Sequence, residues 1–266
     1  MLDTKLDWLI RTVTGMGSAI VAFSGGVDSV TLAYLAHKAL GDNVVAVTVN
    51  LKSYPKRELE LSRNFAEEIG IRHIIIDFDE LKLPSISNNT PQRCYHCKKE
   101  ILALLRSVRD ELGFTHILEG SNLSDADSYR PGSKALLESK DDVISPFVDF
   151  GISKDEIREI ARKEGLSVAD KPSSPCLASR FPYGDKLKME MLERVEAAED
   201  YLMTLGFSEL RVRDHKGLAR IELSPADFQS FLEYRDVISS YFKKIGFEYV
   251  TLDIQGLRSG SMDEVL

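Results

Sequence analysis

Short apolar runs alternate with amphipathic stretches along the first part of the chain. Residues 18–23 (Ser-Ala-Ile-Val-Ala-Phe), 44–49, 73–78, 115–119 and 143–147 are β-rich and nearly continuous in hydrophobicity, the pattern of strands buried on both faces. Between them Leu32, Leu35, Ala36 and Ala39 share one helical face, as do Leu61, Phe65 and Ile69, then Ile101, Leu105 and Val108. Strand and helix in alternation predict an α/β unit, an open parallel five-stranded sheet with helices on both sides. Ser153-Lys154-Asp155-Glu156 has the spacing of a capping box opening one more helix, which Gly165 is placed to close.

The pattern then changes. Residues 169–185 contain Pro172, Pro175 and Pro182 and no periodicity, as expected of a functional loop or linker. A long helix is expected over about 186–205 and two β-like runs around Arg211–Arg213 and Ala219–Leu223, followed by a helix over about 225–245 and a strand at Tyr249–Ile254. The expected organisation is an α/β domain over 1–168, a loop over 169–185, and a smaller C-terminal α+β domain over 186–266 for substrate binding and oligomerisation.

The 266 residues carry 34 basic and 42 acidic side chains, a formal charge of −8. This argues against a surface built to neutralise nucleic-acid phosphates, so no stable nucleic-acid partner is expected. No apolar run reaches the roughly 18 residues of a membrane span. Leu2, Leu6, Ile10 and Val13 among acidic residues form a helical pattern rather than a signal peptide, and a cytoplasmic protein is expected.

Directly after the first strand stands Ser24-Gly25-Gly26-Val27-Asp28-Ser29, leading into the first helix of the α/β alternation. Ligands of open α/β sheets bind outside the carboxyl ends of the strands, where a helix N-terminus offers amides to phosphate. Two glycines let the backbone approach phosphate oxygens, the serines donate hydrogen bonds, and Asp28 suits a magnesium ion bridging the phosphates. Gly15-Met16-Gly17 precedes the strand and lacks a third glycine, so it is no dinucleotide fingerprint, and no Gly-Lys-Ser/Thr P-loop is present.

Cys94, Cys97 and Cys176 cannot all pair, and in a reducing compartment they point to thiol chemistry or metal ligation. Thr90-Pro91 reads as an N-cap and first helical residue, which places Cys94 and Cys97 in the first two turns with both sulfurs on one face. Three thiolates suit a [4Fe-4S] cluster with one open iron, or zinc with a fourth ligand. His96, between the cysteines, points roughly 100–200° away from each on a regular helix. Arg211 and Arg213 alternate with Val212, so both project from one strand face as planar donors for carboxylates and phosphate.

The hexapeptide Ser24–Ser29 resembles the PP-loop of the N-type ATP pyrophosphatases, which cleave ATP between the α and β phosphates to adenylate a substrate. The resemblance implies their fold over about the first 165 residues. It also implies ATP and Mg²⁺ at Ser24, Gly25, Gly26, Val27, Asp28 and Ser29, adenine near Val49, and a nucleotide loop at Glu119-Gly120-Ser121-Asn122. Arg180-Phe181-Pro182-Tyr183-Gly184, Glu199, Arg211-Val212-Arg213, Tyr129-Arg130-Pro131-Gly132 and Arg258-Ser259-Gly260 together resemble the LarE family. Those enzymes are ATP-dependent sulfurtransferases acting on pyridinium-3,5-biscarboxylic acid mononucleotide in nickel-pincer nucleotide biosynthesis. This implies a small anionic mononucleotide at Arg180, Glu199, Arg211 and Arg213, an unidentified sulfur donor, and a homo-oligomer, a hexamer by family tendency. In some members a lone cysteine at the position of Cys176 gives up its own sulfur, whereas Cys94 and Cys97 resemble the branch in which three cysteines ligate a [4Fe-4S] cluster. The alternatives are a PP-loop tRNA thiolase and a non-catalytic adenine-nucleotide sensor.

Overall fold

Successive residues of a strand point to opposite faces of its sheet, and the first strand, β1 (Ala19–Ala22), uses both. Ala19 and Val21 enter one apolar core, while Ile20 enters a second on the other face. The neighbouring strand β2 (Val44–Leu51) divides in the same way, Val44 and Ala46 to the first core and Val45 and Val47 to the second. Continuous hydrophobicity in the sequence is therefore two alternating sets, each with its own layer of helices. A computed structural model describes residues 2–127, 131–258 and 260–264.

With β3 (Arg72–Phe78), β4 (His116–Leu118) and β5 (Val143–Ile144), these strands form a five-stranded, wholly parallel sheet in the order β3-β2-β1-β4-β5. Helices α1 (Leu2–Gly15), α2 (Val27–Leu40) and α3 (Lys56–Ile69) supply the first core, and α4 (Arg93–Leu112) supplies Leu102 and Leu105 to the second. A fifth helix, α5 (Lys154–Lys163), opens on the expected capping box, in which the Ser153 hydroxyl accepts from Glu156 N–H and the Glu156 carboxylate accepts from Ser153 N–H. Gly165 follows it at φ +74°, a left-handed conformation suited to glycine. Strand order reverses between β1 and β4, so the loops leaving these two strands flank the switch point where such sheets bind ligands.

The chain divides into two compact units, residues 1–79 with 92–174, and 80–91 with 175–266. In the second, α6 (Met189–Thr204) packs on a sheet of β6 (Leu210–His215), β7 (Leu218–Leu223) and β8 (Tyr249–Leu252), with β6 and β7 antiparallel and β7 and β8 parallel.

Three local expectations change. Strand β5 stops at Ile144 because Pro146, which has no N–H for a ladder, begins a short helical turn. Helix α4 starts at Arg93, with Gln92 rather than Thr90 at its N-cap, so Cys94 and Cys97 still fall in its first two turns. The helix expected over 225–245 is a 3-10 turn followed by α7 (Phe228–Glu233) and α8 (Arg235–Lys244), broken where Tyr234 N–H turns to the carbonyl of Phe231. Among the described residues no helix is long and apolar enough to cross a membrane.

Candidate active site

The Phe23–Ser24 peptide, where β1 becomes loop, is held at both polar atoms. Its carbonyl accepts from the Thr48 hydroxyl at 2.6 Å, and its N–H donates to Ser29 Oγ at 3.1 Å. Tyr54 on the far side of β2 donates its hydroxyl to the Ser24 carbonyl at 2.5 Å. Burial first, and then the charge of Glu58, push the Tyr54 phenol well above its ordinary range, so it remains a donor. Gly25 takes φ +66°, and a Cβ there would lie 3.1 Å from the Ser62 Cβ. Glycine is thus required at that position for both conformation and space.

This turn forms one wall of a cleft of about 290 Å³ in the first unit. Ser24, Asp28 and Ser29 line it from the loop, Val49 and Tyr54 from β2 and beyond, and Gly120 from the segment after β4. Five residues singled out in the sequence as nucleotide contacts, Ser24, Asp28, Ser29, Val49 and Gly120, therefore share one space. Gly25 and Gly26 make the turn itself, and the Val27 side chain is buried in the first core. A Cβ on Gly120 would come within 3.1 Å of Ser29 N and 3.2 Å of the Asp28 carbonyl carbon, so the two backbones nearly touch.

Of the residues around the cleft, Lys154 and Lys98 escaped the sequence reading, whereas Glu119 stood in the nucleotide loop that the resemblance implies. Lys154, the first residue of α5, places Nζ 2.6 Å from Asp28 Oδ2. Glu119 is buried, and its carboxylate accepts from Ser121 N–H at 3.1 Å, from Ser121 Oγ at 2.9 Å and from the Ser145 hydroxyl. Lys98 lies 3.9 Å from the same carboxylate. Lys98, Ile101 and Leu105 form the stripe of α4 that lines the cleft, and Cys94 stands one turn earlier on that stripe. The signal for Lys154 was the capping box itself, since a helix start at the sheet edge carries its first side chains there.

Cys94 is half-buried, with Arg93 Nη2 at 3.5 Å from its sulfur, and Cys97 is half-buried on the same helix. Cys176 belongs to the second unit. Its carbonyl accepts from Ser179 N–H at 3.1 Å, Ser179 Oγ at 2.9 Å and Arg180 Nη1 at 3.3 Å. Arg180 in turn is ion-paired with Glu199 on α6, whose Oε1 also accepts from Val212 N–H of β6 at 3.1 Å. Arg180 and Glu199 thus clamp the Cys176 turn to the helix and sheet beneath it. Arg213 is buried, donating to Glu222 at 2.8 Å, Ser179 O at 3.0 Å and Ser261 Oγ at 3.0 Å, whereas Arg211 is half-exposed. Tyr129, Arg130 and Ser259 lie outside the described residues. Among the described residues no three of His, Cys, Asp and Glu gather as a metal site.

Residues 18–181 match the family model described as queuosine biosynthesis protein QueC, a PP-loop family. A pyridinium-3,5-bisthiocarboxylic acid mononucleotide synthase from Lactiplantibacillus plantarum is 37% identical to the chain, covering all of it and 96% of the synthase. The chain is a LarE-type member of this PP-loop family. It is an enzyme, and the ATP-dependent sulfurtransferases are its relatives. An uncharacterized protein of Synechocystis sp. is 40% identical, covering all of the chain and 99% of that protein. A tRNA-specific 2-thiouridylase MnmA of Bradyrhizobium sp. is 31% identical, over 68% of the chain and 55% of the thiouridylase.

Proposed function

We propose that the enzyme uses ATP to activate a carboxylate of pyridinium-3,5-biscarboxylic acid mononucleotide and transfers sulfur to it. The full-length similarity to the Lactiplantibacillus synthase carries the reading, and the cleft supplies the chemistry. The substrate carboxylate attacks the α-phosphorus, the bond to the bridging oxygen breaks, and pyrophosphate leaves with the electron pair. A sulfur nucleophile then attacks the acyl carbon, and the carbon–oxygen bond to AMP breaks to leave the thiocarboxylate.

Asp28 fits a magnesium site, because its carboxylate already holds a cation, the Lys154 ammonium, against the cleft. Magnesium there supplies charge neutralisation for the departing pyrophosphate. The loop amides and Lys154 orient the β and γ phosphates, the end of β2 takes the adenine, and Arg211 attracts the anionic mononucleotide. Cys94, Cys97 and Cys176 are half-buried thiols of the kind that ligate iron, and they are the residues that would hold a [4Fe-4S] cluster. Such a cluster supplies the sulfur nucleophile. Incubation of anaerobically purified enzyme with ATP, Mg²⁺ and the mononucleotide should release pyrophosphate and AMP in step with thiocarboxylate. Release of neither would remove the assignment. A tRNA substrate is disfavoured by the −8 charge and by the 55% coverage of the thiouridylase.

A further inference from the structure

The Thr48 hydroxyl carries one proton, and the 2.6 Å contact with the Phe23 carbonyl consumes it. Its second partner is His73 Nε2 on β3, at 2.8 Å. Thr48 has no proton left for that contact, so His73 is the donor and its Nε2 bears hydrogen. The result is a one-way chain across three adjacent strands, from His73 N–H to Thr48 O–H to the Phe23 carbonyl. It ends on the peptide whose other polar atom is fixed by Ser29, the last residue of the phosphate loop. Thr48 is itself buried, and it lines the cleft. The His73 ring also stands edge-on to Phe23, centroids 5.3 Å apart.

We infer that His73, outside the cleft lining, is a positioning residue that sets the entry angle of the phosphate loop through Thr48. The inference rests on the proposed use of this cleft for ATP. Its logic is directional. Without the His73 donor, the Thr48 hydroxyl can rotate away from the Phe23 carbonyl, and the peptide leading into Ser24 loses its brace. Adenosine, gripped at the end of β2, is little affected. In-line alignment of the α-phosphorus depends on displacements of less than an ångström and is lost first. Burial and the neighbouring Arg63 charge hold the His73 imidazole down to about 4, so it remains a neutral donor at working pH.

The experiment measures pyrophosphate release and ATP binding by calorimetry, with a thermal melt for every variant. His73→Leu should lower kcat about tenfold while KM for ATP changes less than about threefold. Glutamine places its amide nitrogen close to the position of Nε2, whereas asparagine is one methylene too short. His73→Gln should therefore restore turnover and His73→Asn should not, a difference that loss of ring packing alone would not produce, since both remove the imidazole. Thr48→Val should match His73→Leu, and the double variant should be no worse than Thr48→Val, because both cut one chain. Wild-type kcat in His73→Leu, equal activity of the Gln and Asn variants, or additive losses in the double variant would each overturn the inference. If wild-type enzyme itself neither binds ATP nor releases pyrophosphate, the nucleotide reading fails and the inference falls with it. If His73→Leu does not fold, the Gln and Asn pair decides.

Discussion

Arg180 and Glu199 meet through two parallel hydrogen bonds, Nε to Oε1 at 2.7 Å and Nη2 to Oε2 at 3.0 Å, and neither side chain reaches solvent. Removing one partner of such a pair leaves an uncompensated buried charge, at a cost of about 3–5 kcal/mol. Glu199→Ala should therefore lower the urea midpoint of unfolding sharply. Arg180→Met combined with Glu199→Leu should recover much of the loss, but not sulfur transfer, because the Cys176 turn has lost its clamp. A single variant with the wild-type midpoint would show that the pair is not needed for stability.

Asp28→Asn keeps shape and removes charge. Pyrophosphate release should fall by about 100-fold in kcat, with a smaller change in ATP affinity, if the carboxylate serves charge developing in the transition state. Wild-type turnover at saturating ATP would exclude Asp28 from the chemistry.

Arg211 and Arg213, neighbours on one strand face, should behave differently. Arg211→Ala should weaken the mononucleotide by about 1.5–3 kcal/mol, roughly ten- to a hundredfold in Kd, with an unchanged melt. Arg213→Ala strips Glu222, itself fully buried, of a guanidinium partner and should first lower the melting temperature. Equal effects of the two changes on the melt would contradict this division of roles.

The thiols offer a three-way outcome. If Cys94, Cys97 and Cys176 hold one cluster, each Cys→Ala variant should lose most iron, most labile sulfide and most turnover. Activity retained in Cys94→Ala and Cys97→Ala, with wild-type enzyme stopping after one turnover and a mass loss of about one H₂S at Cys176, identifies a sacrificial cysteine instead. Colourless protein with stoichiometric zinc and no labile sulfide identifies zinc.

The depressed His73 value also sets a pH dependence of stability. Between about 4, its folded-state value, and its ordinary 6.5, the unfolded chain binds a proton that the folded chain refuses. Stability from this group is therefore complete above the ordinary value and lost as pH falls toward the folded one. The urea midpoint of the wild type should fall over that interval more steeply than that of His73→Gln, and parallel profiles would remove His73 as the cause.

The strands and the phosphate loop were legible because each has a local signature. Apolar runs marked β1 to β4, and Ser24–Ser29 carried its own glycines and position. The lysines beside it had none. Lys154 read as an ordinary helix start and Lys98 as one position of a helix, and only the sheet order brings them to Asp28 and to Glu119, which stood in the implied nucleotide loop. Nothing in the pattern shows that residues 80–91 pack with the C-terminal elements, where the Asn89 side chain donates to the carbonyls of Phe181 and Pro182. Arg180 and Arg213 stand out by residue type, but their buried carboxylate partners lie 19 and 9 residues away, beyond any local pattern.

The near-contact of Gly120 with the main chain at Asp28 and Ser29 bears on redesign. That end of the cleft is gauged by one backbone against another, so no side-chain exchange can widen it and any Cβ narrows it. Val49 and Leu51, by contrast, line the same space from β2 without bracing the loop and can be trimmed or enlarged. A library aimed at altered nucleotide choice should vary that flank and leave position 120 untouched. On the proposed use of the cleft, the base is then the adjustable half of the ligand, and the triphosphate the fixed one.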